Sequence, residues 1–316
     1  MPNITWELPV EAWSAFVARC PDATFFHTPE WYAAHGLPTA TPLIRFEDGA
    51  EALLPLAVSR RFRGLVAEGL AGLENGYGGL VSPGPLTDAQ VNAAYALVRQ
   101  RFPDLAVVGN PFGAYPNLPA GSPLALDATQ VLPVVDREAQ RKLMVATRRK
   151  HVAKALEAGF RLEVRTALQA EDAASFYPLY AERAAGWTYT KWVRDEAYFR
   201  RLCEAAGAKL ALFLAYKNDE LAGFRLLGLQ GPVVMDLFLA TAERHDRDQV
   251  GPYLVVEPLA WLHERGYELF DFQPSGRLEG VKAYKASFGA TPREHATTRQ
   301  AGWVGRGLDA LLRRSA

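Results

Sequence analysis

The chain has 316 residues, of which 49% are hydrophobic and 22% are charged. This length favours two domains over one, and the composition is that of a globular protein with a full core. The 35 basic and 35 acidic side chains balance. The balance excludes attraction of a uniformly charged partner through the overall field, so such a partner would need a local patch.

The cysteine content and the N-terminal sequence predict a soluble cytoplasmic protein. Cys20 and Cys203 are the only cysteines, and neither has metal-ligand spacing around it. Two thiols in a chain of this length indicate a reducing compartment. The first residues, MPNITWELPVEAW, show no secretory signal, and no apolar run approaches the ~18 residues of a membrane span. The six histidines are scattered, so we expect no metal.

The first half of the chain predicts a mixed order of helices and strands. A helix over 9–20 precedes another that starts at Thr28-Pro29-Glu30, where proline suits a first turn. Strands over 41–47 and 51–59 are joined by Asp48-Gly49, a strong hairpin signal. The remaining predicted elements are a strand within the Gly-rich segment 64–85, a helix over 88–102 and a short buried strand from Asp104.

The second half repeats this order. Its predicted elements are a helix over 171–184, a hairpin that turns at Asn218-Asp219, a strand over 231–243, a helix from 252 and a buried strand over 267–272. Pro111 and Pro274 each follow the last strand of their half, 163 positions apart, and the helices that open at Asp88 and Gly251 have the same offset. The matched spacing favours a duplication. The alternative is the ordinary alternation of an α/β chain.

We therefore predict two domains, 1–135 and 136–316. The tail over 293–316 has a strand-like piece and an amphipathic end at 304–312, and it is free to pack on the first domain.

Polar side chains cluster around the last buried strand. The stretch Tyr267 to Gly289 predicts a strand, a turn at Pro274-Ser275-Gly276 and a short helix that carries Tyr284 and Lys285. In α/β folds, ligands bind beyond the carboxyl ends of the strands. That rule predicts a site whose rim is formed by Asp271, Gln273, Ser275, Arg277 and Lys285.

The order helix, hairpin, long strand, helix, strand is that of the GNAT acyltransferase core. Four stretches carry a closer likeness: FFHTPEWYAAHG (25–36), ATRRKHVAKALEAGFRLEV (146–164), the segment 236–272, and EGVKAYKASFGA (279–290). They resemble the FemABX and BioF2-like branch of the GNAT superfamily. The resemblance implies an α/β fold with two tandem GNAT-like domains, each a mixed sheet flanked by helices. In that fold the acyl donor enters a gap between two parallel strands, here 232–241 and 267–272.

The resemblance also implies a reaction. Fem-type enzymes transfer an amino acid from aminoacyl-tRNA to the amine of a peptidoglycan precursor peptide, without a further cofactor. Lys285 would stabilise the negative oxygen of the tetrahedral intermediate, as a positioned cation can. Tyr284 would contact the acyl donor. Asp271 would accept a proton or orient the amine, or would instead only cap the turn that follows it. Asp236, within an apolar strand, is similarly ambiguous.

The implied partners are a cell-wall peptide precursor and aminoacyl-tRNA, with transient contact to the inner membrane surface and no DNA. Seven cations and one acid lie between Arg137 and Lys154. Such a cluster either neutralises phosphates or is a solvated helical face. The candidate substrate-binding residues are Arg148, Arg149, Lys150, Lys154, Gln273, Ser275, Arg277 and Trp31. Family members have basic residues near this early Trp helix, but here no lysine follows Trp31. The identity of the acceptor is therefore left open.

Two alternatives remain. The first is an N-acyltransferase that uses acyl-CoA on an amino sugar or small amine, with Gly251 and Tyr253 at the cofactor. Its pyrophosphate loop would be poor, because Asp248 replaces the expected Arg or Gln and Pro252 removes an N–H donor. The second is a catalytically silent binding module of the same fold.

Overall fold

The computed structural model describes residues 2–74, 76–113, 118, 124–187 and 193–302. The predicted amphipathic end at 304–312 lies outside the described residues. The chain divides into two compact units, one formed by 1–32, 36–127 and 294–316, and the other by 33–35 and 128–293. The long segment of the first unit ends at 127, and the tail from 294 is grouped with that unit.

The described helices and strands follow one another in this order: β1 Asn3–Thr5, α1 Val10–Ala18, α2 Pro29–His35, β2 Thr39–Ala40, β3 Leu43–Arg45, β4 Glu51–Leu53, β5 Leu56–Arg61, β6 Val66–Ala71, α3 Asp88–Arg101, β7 Asp104–Val108, β8 Leu124–Pro133, α4 Arg137–Leu143, α5 Ala146–Glu157, β9 Arg161–Thr166, α6 Tyr177–Ala184, α7 Glu196–Ala206, β10 Leu210–Lys217, β11 Glu220–Gln230, β12 Val233–Thr241, α8 Val250–His263, β13 Leu269–Asp271, α9 Glu279–Ala286 and β14 Thr291–Gln300.

The first unit contains a small sheet, β1-β3-β4, and a larger set of strands in the order β2-β5-β6-β7-β14. Strands β5 and β6 form an antiparallel pair, and β6 runs parallel to β7. Helix α3 connects β6 to β7. It begins with a capping box, in which the Gln90 N–H donates to the Thr87 hydroxyl and the Thr87 N–H donates to the Gln90 side chain. Its buried face packs Tyr95 and Val98 into the core of this unit.

The predicted strand over 51–59 was wrong in its extent. It is two strands, β4 and β5, which belong to different sheets. They separate at Leu54-Pro55, because proline has no N–H to donate to a ladder. The hairpin at Asp48-Gly49 is as predicted, with Leu43 opposite Leu53.

The second unit has the strand order β8-β13-β12-β11-β10-β9. The hairpin β10-β11 turns at Asn218 and Asp219, both at positive φ. Helix α8 connects β12 to β13 and buries Leu254 and Leu259 against the sheet. Helix α6 begins only at Tyr177, because the predicted helix over 171–184 is a 3-10 turn followed by a short α-helix.

Residues 130–133 belong with the second unit because β8 pairs with β13. The register sets Pro133 opposite Leu269 and Val131 opposite Asp271.

The parallel strands β12 and β13 separate at their carboxyl ends. They pair at three positions, the last of which joins Met235 to Asp271. There β13 ends, whereas β12 continues to Thr241 against β11 with a register shift between Leu226 and Leu227. Such a bulge bends a strand and increases its twist. The sheet therefore opens directly after Met235 and Asp271.

Candidate active site

The turn after β13 is held by the carboxylate of Asp271, which is fully buried. The Thr129 hydroxyl donates to Asp271 Oδ1, and the Gln273 N–H donates to the same oxygen at 2.9 Å. The Gln273 side-chain amide donates to Oδ2 at 3.3 Å. Gln273 has φ +65°, a left-handed conformation that these bonds fix. The geometry of Asp271 is that of a residue that caps the turn.

Lys285 on α9 is brought against this turn, although its charge would normally favour solvent. It is 8% exposed, and its Nζ donates to the Gln273 carbonyl at 2.7 Å. Burial lowers the pKa of Lys285 to about 8, while the nearby Asp236 and Asp271 carboxylates oppose that shift. An ammonium has three donors, and among the described residues the Gln273 carbonyl accepts one of them. The side chain is thus a buried, charged donor at neutral pH.

Tyr284 precedes Lys285 and lies over the first turn of α8. A Cβ built on Gly251 would be 3.3 Å from the Tyr284 hydroxyl. The Tyr284 ring packs on Phe288 with centroids 5.2 Å apart, and burial raises the pKa of the phenol. This side chain closes the site on the side of α8.

Two further charged residues, which lie on neighbouring strands, complete the cluster. Arg225 of β11 is 1% exposed, and its Nε lies 3.4 Å from Asp236 Oδ1 on β12. The guanidinium lies over the rings of Phe270 and Phe272, 5.5 and 5.7 Å from their centroids. Burial raises the pKa of Asp236, whereas Arg225 and Lys285 oppose the rise.

A signal for Arg225 was present in the sequence. It is the only charged residue within the apolar run LAGFRLLGL of a predicted hairpin strand. A charge inside such a strand is rarely buried unless it is paired, and the partner is Asp236 on the adjacent strand.

The other predicted rim residues divide into two groups. Ser275 is buried and its hydroxyl donates to Gln130 Oε1 at 2.9 Å, a bond that ties the turn to β8. Arg277, two residues further on, is exposed.

The basic residues of α5 also divide. Arg148 Nε donates to the Ser287 hydroxyl at 2.8 Å, and its guanidinium lies 4.5 Å from the Tyr284 ring centroid. Arg149 donates to the Met144 carbonyl. Lys150 and Lys154 are exposed. Of the four residues predicted to contact phosphates, Arg148 and Arg149 therefore bond within the unit, whereas Lys150 and Lys154 face solvent.

Trp31, a predicted substrate-binding residue, is buried in the first unit. It is 3% exposed and packs edge-on against Phe25 and Phe26 in the core of the first unit.

The loop before α8 is occupied by its own side chains. Asp248 accepts a hydrogen bond from Lys217 at 2.7 Å, an interaction that lowers the pKa of its carboxyl. Tyr253 packs on Phe160 with centroids 5.1 Å apart, and its hydroxyl donates to the Phe160 carbonyl. Pro252 has no N–H for an anion at this helix terminus.

In the part of the chain that the structure describes, no three His, Cys, Asp or Glu side chains come together as a metal would require. None of the described helices has the length and apolarity needed to cross a membrane.

Comparison with known proteins agrees with this geometry. Residues 144–286, which include β12, α8, β13 and α9, match the family model of the acetyltransferase (GNAT) domain. No curated protein matches the sequence.

Three solved structures share the fold over nearly the whole chain. FemX has a TM-score of 0.66 at 12% identity, with 93% of this chain and 96% of that chain covered. The C-terminal domain of a protein named as a lysylphosphatidylglycerol synthetase from Agrobacterium fabrum has a TM-score of 0.59 at 15% identity, with 96% of each chain covered. A tandem GNAT protein from the clavulanic acid biosynthesis pathway has a TM-score of 0.52 at 15% identity, with 95% and 99% covered.

The fold and the domain match define an acyltransferase of the GNAT fold. Over nearly its whole length, the chain shares its fold with FemX and with a tandem GNAT protein. The predicted fold, two tandem GNAT-like domains with mixed sheets flanked by helices, is confirmed.

Proposed function

We propose that this protein is an aminoacyltransferase, which moves an amino acid from aminoacyl-tRNA to the amine of a peptidoglycan precursor peptide. The reaction takes place in the opening between β12 and β13. The observation that carries the proposal is the buried Lys285 ammonium, which is held by the Gln273 carbonyl beside that opening.

The chemistry requires little beyond position and charge. The acceptor amine attacks the carbonyl carbon of the aminoacyl ester, a C–N bond forms, and the carbonyl oxygen becomes negative. The Lys285 ammonium stabilises that oxygen. Collapse of the intermediate breaks the C–O bond, and the tRNA hydroxyl leaves with a proton while the nitrogen loses one. Tyr284 contacts the donor, and Asp271 keeps the turn and its carbonyl in place.

The choice of donor rests on the loop before α8. Asp248 brings a negative charge to the place where a pyrophosphate would lie, although Lys217 pairs with it. Pro252 and the packed ring of Tyr253 remove donors and space from the first turn of the helix. These features disfavour acyl-CoA. The likeness to FemX supports the aminoacyl donor at the level of fold.

The exposed Lys150 and Lys154 are the proposed contacts to tRNA phosphates. Such contacts produce an affinity that falls as salt rises. Arg148 and Arg149, which bond within the unit, support the surface on which the two lysines stand.

Calorimetric titration tests the proposal, with a UDP-linked muramoyl pentapeptide in one cell and acetyl-CoA in another. We expect saturable binding of the muramoyl peptide and none of acetyl-CoA. A transfer assay with a pool of radiolabelled aminoacyl-tRNAs then identifies the amino acid. Binding of acetyl-CoA alone would overturn the proposal and point to acyl-CoA-dependent transfer to a small amine.

A further inference from the structure

The buried ion pair Arg225–Asp236 makes fewer hydrogen bonds than an ion pair with a purely structural role would. Arg225 Nε and Nη1 and Asp236 Oδ1 have no hydrogen-bond partner among the described residues. Their separation of 3.4 Å exceeds the length of a charge-assisted hydrogen bond, about 2.8 Å. By contrast, Arg137 and Glu257 in the same unit form two bonds of 2.7 and 2.9 Å.

Burial makes this difference important. A buried ion pair compensates the loss of hydration only when its geometry is good and its other polar atoms are satisfied. A buried polar group without a partner needs an explanation, and a missing ligand is one. Asp236 is 11% exposed and Arg225 is 1% exposed, so bulk water has little access to either side chain.

The pair lies at the opening of the sheet. Asp236 directly follows Met235, the last residue of β12 that pairs with β13. Its carboxylate is near enough to the Lys285 ammonium to oppose the fall in the pKa of that lysine. Asp271, the other carboxylate that opposes this fall, already accepts bonds from Thr129 and Gln273. Asp236 is therefore the carboxylate that is left to meet the α-substituent of an acyl group whose carbonyl oxygen contacts Lys285.

We propose that the Asp236 carboxylate accepts a hydrogen bond from the free α-ammonium of the donor's acyl group, and that it thereby selects aminoacyl donors over acyl donors without an amine. This inference rests on the proposed function and adds to it the residue that selects the donor. Arg225 acts as a positioning residue. Its guanidinium, fixed over Phe270 and Phe272, keeps Asp236 in place and favours the ionised form of its carboxyl.

The selectivity follows from what each donor would leave unpaired. An aminoacyl group supplies a cationic donor to Asp236. An acetyl or propionyl group places a methyl or methylene beside the carboxylate and leaves it desolvated without a partner. Sites built to bond a polar group reject analogues that lack it.

The test uses two adenosine derivatives in which an amide at the 3′ position carries either L-alanine or propionic acid. They differ only in the α-amine. We expect the wild-type protein to bind the alanyl compound about tenfold more tightly, the effect of one charge-assisted hydrogen bond. The substitution Asp236→Asn should remove this preference. Asp219→Asn, in an exposed turn where Asn accepts positive φ, should keep it.

Each outcome decides. Equal binding of the two compounds by the wild type, or a preference that survives Asp236→Asn, overturns the inference and leaves acyl transfer at this site intact. Failure of both compounds to bind overturns the proposed donor class and the inference with it. Should Asp236→Asn not fold, the double variant Arg225→Met/Asp236→Leu replaces the whole ion pair with apolar groups of similar size and leaves no unpaired charge, and the same loss of preference is expected.

Discussion

The two units contain the same strand–helix–strand arrangement, yet only one of them opens at its end. In the first unit β6 and β7 run parallel, joined by α3, and in the second β12 and β13 do so, joined by α8. In the first unit, the backbone of Gly78 fills the space beyond the carboxyl ends of β6 and β7. Its N–H donates to the Val108 carbonyl at 2.7 Å, and a Cβ there would lie 2.6 Å from the Ala71 carbonyl oxygen.

The residues at matching positions differ in the same sense. The positions 163 residues before Asp236 and Asp271 are Leu73 and Val108, which are apolar. The second unit thus has buried charge where the first has packed backbone and hydrocarbon. The same arrangement of elements forms a closed end in the first unit and an open end in the second. The residues that follow the parallel strands make the difference.

The largest expected effect is that of Lys285→Met. Removing one donor to an oxyanion costs about 10²–10³ in kcat, and we expect that loss in the transfer assay with KM little changed. Lys282→Met is the matched control, because Lys282 is on the same helix but more exposed and paired with Glu279. Equal rates for both variants would remove Lys285 from the reaction and with it the distinction between the two units.

Gly78→Ala tests the closed end. A Cβ at this position meets backbone that cannot move aside, so we expect a loss of about 3 kcal/mol in the free energy of unfolding, at the upper end for overpacking. Urea denaturation measures it. Gly84→Ala has open space around its Cβ and should stay within about 0.5 kcal/mol of wild type. A neutral Gly78→Ala would show that the first unit is not closed there.

The pH dependence of transfer tests the role of the charged, open end of the second unit. Lys285 must be protonated to stabilise an oxyanion, and its pKa is lowered to about 8. The rate should therefore fall above pH 8, by about tenfold for each further pH unit. In Lys285→Arg, which keeps whatever activity the larger guanidinium permits, that fall should be absent because arginine stays charged. A wild-type rate that still rises through pH 9 would mean that the neutral amine is the active form.

Arg148→Met should weaken the support of the open end. Its hydrogen bond to Ser287 and its contact with the Tyr284 ring are worth about 1 kcal/mol together for a half-buried group. We expect a loss of about that size in the free energy of unfolding, as measured by urea denaturation. Unchanged stability with weaker tRNA binding would assign Arg148 to the phosphates instead.

The smallest effect is expected from Lys150→Ala and Lys154→Ala. Each should lower the affinity for tRNA a few-fold and reduce the salt dependence of binding by about one charge, with stability unchanged. Filter binding at several salt concentrations measures this. An unaltered salt dependence would exclude both lysines from the tRNA surface.

The sequence predicted the local elements better than the contacts that join distant segments. The Asn218-Asp219 hairpin and the helix from Val250 followed from turn residues and apolar spacing. The break at Pro55 could also have been predicted from that single residue, because proline has no N–H to donate to a ladder. By contrast, the place of Arg148 depends on Ser287, 139 positions away.

The site shows the same division. Asp271, Gln273, Ser275 and Lys285 come together as predicted, because one strand end, one turn and one short helix hold them. Arg225 was missed because its partner Asp236 is on the neighbouring strand and a bulge sets their register. Trp31 looked like a ligand contact only through the family likeness, and its apolar neighbours place it in a core.

A crystal structure of the protein with the 3′-alanylamino derivative of adenosine would test the central claim most directly. We predict that the alanyl group lies between β12 and β13 beyond Met235 and Asp271, with its carbonyl oxygen about 3 Å from Lys285 Nζ. A ligand bound elsewhere, with Lys285 still bonded only to the Gln273 carbonyl, would contradict it.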